Sequence, residues 1–281
     1  MSRQYFKQIV ASGDYVFLNA NAKNYYDELV TANGGDIDAD GIYSISLNAL
    51  KDGIDVFFIA LVDAAIYSKM IQVVPYIGAT AVTHAINAVN PGTFDLTFGN
   101  SPTQNALGTV LNGTTQFINS NVSPSGDLTA NDWTIATYTQ DQLTGGTTAL
   151  WGSDPVGANN SLYALPYNVG ALIQFAGLVI ATVMDNASRN DSLVAISRRS
   201  NTNFESYRNG VSTGTDGDTD NGAMPAITIY YGARNKTSGE DFYSNNTFSM
   251  GIQTDEGLTT AEHVALNTAV QALQTTLGRN V

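Results

Sequence analysis

The segment Asp216-Gly-Asp-Thr-Asp-Asn-Gly222 sets carboxylates at alternate positions, Asp216, Asp218 and Asp220. Hard cations take oxygen ligands, so calcium is the metal that such a loop would hold. The glycine comes one residue late for the standard calcium loop, and a solvated hairpin tip has the same Asp/Asn/Gly composition. Both readings stand. Asp216, Asp218 and Asp220 are the expected ligands if calcium is the cofactor. A second acidic run, Asp36-Ile-Asp-Ala-Asp-Gly41, lacks the bidentate Glu that completes a calcium loop, because Leu47 occupies that place. It reads as a solvated turn ahead of a helix.

Sugar rings pack on exposed aromatic side chains, which makes the two tryptophans worth placing. Trp133 alternates with Ile135 and reads as core. Trp151-Gly-Ser-Asp154 opens a loop, so Trp151 is the expected carbohydrate contact. Glycan hydrolases need two carboxyl groups facing each other across the scissile bond. The glutamates are Glu28, Glu205, Glu240, Glu256 and Glu262, and no two stand on one strand at a suitable spacing. His84 and His263 are too few for a histidine metal site, and His263 falls in the first turn of a helix expected to face solvent. With no cysteine, disulfides, thiolate nucleophiles and cysteine-ligated zinc are excluded.

The elements that must carry these residues are mostly strands. From Gly108 to Thr254, short β-branched and aromatic runs alternate with Gly, Asn, Asp, Ser and Thr. Such spacing reads as an all-β sandwich. A sandwich at 107–257 is expected, preceded by an arm (1–43) and by a helix with an extended segment packed on it (44–106). A closing helix follows at 258–281. Leu47, Leu50, Ile54, Phe57, Phe58 and Leu61 recur at helical spacing, and Ser44 or Ser46 can cap a helix running to about Met70. Thr259 and Glu262 form a capping box, and Gly278 is the expected stop. The aromatic arm, with Tyr15, Phe17, Tyr25 and Tyr26, packs either on its own chain or on a neighbour; the sequence leaves both open.

A net charge of −13 and the lack of any basic cluster longer than Arg198-Arg199 exclude nucleic acid as a partner. The most apolar stretch, Val169 to Met184, is too short to span a membrane and is broken by Gln174 and Gly177. It reads as two strands, Leu172–Phe175 and Leu178–Met184. The first ten residues lack the apolar core and cleavage site of a signal peptide, so synthesis in a cytoplasm is expected.

Several stretches resemble a family of bacteriophage virion proteins with a concanavalin A-like, laminin-G-type sandwich. The first is Tyr25-Tyr-Asp-Glu-Leu-Val-Thr-Ala-Asn-Gly-Gly35. The second is Ala65-Ile-Tyr-Ser-Lys-Met70 followed by Val74-Pro-Tyr-Ile-Gly-Ala-Thr80, His84 and Asn87. The others are Ser206-Tyr-Arg-Asn-Gly210 with Ile227-Thr-Ile-Tyr-Tyr-Gly-Ala-Arg-Asn235, and the tail from Gly257 to Arg279. The second block departs from the family pattern: Tyr67 replaces a tryptophan, and the proline precedes Tyr76.

The resemblance implies a mainly β, concanavalin A-like antiparallel sandwich or jelly roll. It also implies a non-enzymatic virion component, either a capsid decoration or a head or tail fibre. His84 matches a family position and is expected to make a structural hydrogen bond. The expected partners are other virion proteins and further copies of the chain, and the expected location is the virion. A host-surface glycan is the partner if the protein is instead a carbohydrate-binding adhesin; a glycan depolymerase is the third reading.

Overall fold

The computed structural model describes residues 15–140, 148–155, 161–166, 172–177, 179–183, 192–216 and 223–279. In chain order its helices are α1 (Ala20–Asn33), α2 (Ala39–Tyr43), α3 (Leu47–Asp63), α4 (Ala81–His84), α5 (Pro124–Asp127) and α6 (Thr260–Thr276). The early strands are β1 (Met70–Val74), β2 (Thr97–Gly99), β3 (Thr103–Asn105), β4 (Gly108–Val110) and β5 (Phe117–Asn119). They are followed by β6 (Trp133–Thr139), β7 (Trp151–Asp154), β8 (Ser161–Pro166), β9 (Leu172–Gly177), β10 (Val179–Val183) and β11 (Ser192–Ser200). The last are β12 (Asn203–Arg208), β13 (Val211–Asp216), β14 (Tyr230–Tyr231), β15 (Asn235–Lys236) and β16 (Thr247–Thr254).

The strands form two sheets. The first runs β13-β12-β11-β6-β16-β4-β3, with β1 also on β16; the second runs β10-β9-β8-β7-β14-β5-β2, with β15 on β7. Every pairing is antiparallel except that of β15 with β7. The expected mainly β sandwich is therefore present, with α6 closing the chain. The expected start at residue 107 is corrected. β1 pairs with Gly251–Thr254, and β2 and β3 extend both sheets, so the segment before 107 builds the sandwich rather than only lying on it.

The molecule has three layers. Trp133, Ile135, Ile196, Phe204 and Phe248 of the first sheet meet Ile118, Trp151, Leu162, Ala164 and Tyr231 of the second. On its other side the first sheet turns Ala136, Tyr138, Leu193, Ala195, Met250 and Ile252 toward α1, α3 and α6. All seven residues of β6 are buried, as a central strand covered on both faces requires. A knot of amides ties the sheets together. The Tyr231 hydroxyl donates to Gln72 Oε1 at 2.8 Å, and Gln253 Nε2 donates to the Tyr231 oxygen at 2.9 Å.

The helix ends follow local chemistry. Asn19 caps α1, and Gly34 ends it in the left-handed region (φ 74°). Thr259 and Glu262 make the expected reciprocal cap of α6, and Gly278 (φ 67°) stops it. The helix expected to reach Met70 ends at Asp63. Ile66 N–H bonds back to the Leu61 carbonyl and Ala65 sits at φ 58°, a left-handed stop made without glycine and so without its sequence signal. Gly53, costly in a helix, lets α6 approach: a Cβ there would lie 2.7 Å from Thr276 Cγ2.

From residue 15 onward the arm packs on its own chain. Asp55, only 1% exposed in α3, accepts the Leu18 and Asn19 N–H groups at 2.7 and 2.8 Å and the Tyr15 hydroxyl at 3.1 Å. Phe57, Phe58 and Leu61 are buried in the same core and are not presented to a partner. At the other end Arg279 is fully buried and donates to the carbonyls of Ala106, Pro75 and Tyr76.

Candidate functional site

The residues singled out for chemistry are mostly not on the surface. Trp151 is 0% exposed, a position in β7 facing Tyr231 and Ala164 in the inter-sheet core. It cannot stack a sugar, which corrects the expectation. In Trp-Gly-Ser-Asp the pleat turns Trp151 and Ser153 inward and Gly152 and Asp154 outward, so the small residue took the outer position. Trp133 is core as read, edge-on to Phe204. Asp216 ends β13, while Asp218 and Asp220 lie outside the described residues. Among the described residues no three His, Cys, Asp or Glu side chains converge as a metal site. Asp38 of the earlier acidic run caps α2, and Asp36 accepts the Tyr26 hydroxyl.

Both histidines are buried. His84 Nε2 accepts the Ala79 N–H at 3.0 Å, and Nδ1 lies 2.7 Å from Gln104 Oε1, the structural hydrogen bonding expected of it. His263 is 1% exposed, which corrects its expected solvent role: α6 presses it onto the Tyr207 ring at 3.6 Å. Its Nε2 lies 2.7 Å from Ser197 Oγ. The pair has the distance of a nucleophile and its base, but Ser197 is itself 0% exposed, so no substrate reaches it. Burial, with the nearby Arg279 guanidinium, depresses His84 to about 3; burial, with Arg199, does the same to His263. Both rings are neutral at ordinary pH.

The candidate surface is the outer face of the second sheet around β5 and β14. The helices cover the outside of the first sheet, and among the described residues no helix joins the packing of the second. Residues directly paired across strands share a face, and one outward row reads Thr97, Asn119, Tyr230, Gly152, Tyr163, with Gly152 and Tyr163 buried beneath Arg234 and Phe242. Phe117, two residues before Asn119, joins that face. Its ring lies parallel to Tyr230 at a centroid distance of 4.3 Å with an interplanar angle of 2°. Both rings are half-buried, and Gly99 makes room for Phe117, since a Cβ there would lie 2.3 Å from the ring. Their inward neighbours Ile118 and Tyr231 are fully buried, so strand alternation holds the pair in place.

Beside this platform lies a charged cluster. Arg234 donates through Nε and one terminal nitrogen to the two oxygens of Asp241, each at 2.7 Å, and through the other to Asp154 at 3.0 Å. Its guanidinium stands 4.0 Å from the Phe242 ring centre and 5.2 Å from that of Tyr163. Lys236 pairs with Asp241 at 2.6 Å, and Ser161 donates to Asp154. Burial alone would raise the Asp241 carboxyl, but its bonds to Arg234 and Lys236 outweigh that and hold it below the usual value. Burial, with the nearby Glu240 carboxylate, raises the Tyr230 and Tyr243 hydroxyls. The face therefore offers the uncovered parts of a stacked aromatic pair beside hydroxyls and carboxylates. Sequence reading missed Phe117 and Tyr230, because neither stands out among the chain's aromatic residues.

No family model matches the sequence, and comparison with curated proteins yields no match. Solved structures share the fold. One is domain 4 of AbnA, a GH43 extracellular arabinanase from Geobacillus stearothermophilus, in complex with arabinotriose. It aligns with a TM-score of 0.54 and 15% identity over 70% of this chain and 98% of that one. Another is Trypanosoma rangeli sialidase in complex with sialic acid, with a TM-score of 0.54 and 17% identity over 71% of this chain and 33% of that one. A mutant of that sialidase displaying trans-sialidase activity reaches 0.55 at 15% identity, over 81% and 39%. The alignment thus spans about a third of the sialidase chains. At these identities the likeness concerns the fold.

Proposed function

We propose that this protein is a non-enzymatic glycan-recognition module that uses the open face of its second sheet. The observation that carries the reading is the parallel Phe117–Tyr230 pair, half-buried on a sheet face that no helix covers among the described residues. Aromatic rings with a wet edge suit sugars, which present apolar C–H faces and polar rims. Hydroxyl, amide and carboxylate groups of Asn119, Tyr243 and Glu240 border the platform and suit the rim. The arabinotriose held by the AbnA domain is a sugar ligand on a sandwich of the same fold, which supports the class of partner.

A binding role fits the chemistry better than catalysis. Asp154 and Asp241 both accept from Arg234, and Asp241 is held ionised, the wrong state for a general acid. Glycan-array screening followed by calorimetry tests the reading. Phe117→Ala and Tyr230→Ala should each weaken binding by about tenfold, roughly 1.4 kcal/mol. Binding to no glycan, or unchanged affinity in both variants, would overturn it. Release of reducing ends from a bound glycan would replace it with the depolymerase.

The place of display proposed is a virus particle, in company with other virion proteins and copies of this chain. The support is the sequence resemblance at Tyr25–Gly35, Val74–Asn87 and Gly257–Arg279. Quantitative mass spectrometry of purified particles tests it; absence of the chain from them would refute it.

A further inference from the structure

We infer that the glycan taken by this face is uncharged, because every described cation on the face is already bound to a carboxylate of the chain. The inference rests on the glycan-recognition reading and narrows it to a substrate class. An acidic sugar, carrying a uronate, a sialate or a sulfate, is best held by a cation whose charge the chain has not already matched with its own carboxylates. Arg234 is the only arginine among the described residues of this face, and two carboxylates already neutralise it: two parallel bonds go to Asp241 and a third to Asp154. Bidentate carboxylate recognition is what a guanidinium does best, and here the chain's own Asp241 occupies that geometry. The faces of the guanidinium are also occupied, by Phe242 and Tyr163. Lys236, the other described cation, is 2.6 Å from the same Asp241.

The local charge then opposes an anion. The described ionised groups here are Asp154, Asp241 and Glu240 against Arg234 and Lys236: three negative, two positive. Among the described residues Glu240 has no cation partner, and its charge acts on the Tyr230 hydroxyl and, together with Asp241, on that of Tyr243. A carboxylate or sulfate on a sugar stacked over Tyr230 would meet it without a screening cation. At longer range the net charge of −13 repels polyanionic glycans, an effect that salt weakens. Neutral hydroxyls meet no such barrier and can donate to Glu240 and Asp154.

The test compares uncharged arabino-, gluco- and galacto-oligosaccharides with matched chains ending in uronic acid, sialic acid or a sulfated sugar, by calorimetry at low ionic strength on the full chain. The uncharged members are expected to bind at least about tenfold tighter than their acidic counterparts. Glu240→Gln should narrow that gap, and so should added salt, while a merely structural Glu240 would leave the ratio unchanged. Equal or tighter binding of the acidic members overturns the inference but leaves glycan recognition standing. If neither set binds, the parent reading falls and the inference with it.

Discussion

Acid should unfold this protein unusually early, and the cause is two buried neutral histidines. His84 and His263 are both depressed from the usual 6.5 to about 3, primarily by burial. A depressed base binds its proton more weakly in the folded chain than in the unfolded one. Its stabilising contribution is therefore full above pH 6.5 and is lost as the pH falls toward 3. At pH 5 each histidine has crossed 1.5 of those units, worth about 2 kcal/mol at 1.36 kcal/mol per unit. The two together remove about 4 kcal/mol, an appreciable part of the roughly 5–15 kcal/mol that holds a domain folded. Depressed carboxyls such as Asp241 and Glu262 act in the same direction only below the ordinary carboxylate range, so the window from pH 6.5 to 5 belongs to the histidines. Self-repulsion from the −13 charge eases over the same window and works the other way, which makes a variant comparison necessary. Urea unfolding of the wild type and of the His84→Gln/His263→Gln double variant, at pH 7 and pH 5, supplies it. The wild type should lose about 4 kcal/mol more than the variant between the two conditions, although the variant starts less stable. Equal losses would refute the argument and mean that the rings either take up protons freely in the folded state or are not buried.

Three further outcomes follow from single contacts. Asp55→Ala removes the acceptor that holds the Leu18 and Asn19 N–H groups and the Tyr15 hydroxyl, and should cost about 2–4 kcal/mol; hydrogen exchange should show residues 15–20 opening first, and unchanged protection there would contradict the packing described. Gly108→Ala sets a Cβ 2.1 Å from the Phe248 carbonyl oxygen at a φ of 135°, so thermal unfolding should register a loss of at least about 3 kcal/mol. Tyr231→Phe leaves Gln72 and Gln253 without their shared hydroxyl and should cost about 1–3 kcal/mol; a neutral result in denaturant titration would mean that water replaces it.

What the sequence determined by itself was local. Helix caps are a matter of a few neighbouring residues, so the Thr259–Glu262 box and the Gly278 stop could be read directly. Strand runs and their alternation identified a sandwich, because each strand needs one buried side. Where the local signal was missing, as at the glycine-free end of α3, the boundary was misplaced by several residues.

Tertiary structure decided which side of each strand is inside and what covers it. Tyr230 and Tyr231 are adjacent and identical in type, yet one lies outward in the stacked pair and the other seals the inter-sheet core. Trp151 looked like a surface residue because it opens a polar stretch, but the register of β7 against β8 and β14 turned it inward. His263 looked exposed because it begins a helix, but α6 sets that turn against Tyr207 and Ser197, and neutrality follows from the burial. For Tyr230, Tyr231 and Trp151 the inner and outer faces are set by strand register. A one-residue shift in pairing would have exchanged them, and only contacts between residues far apart in the chain fix that register.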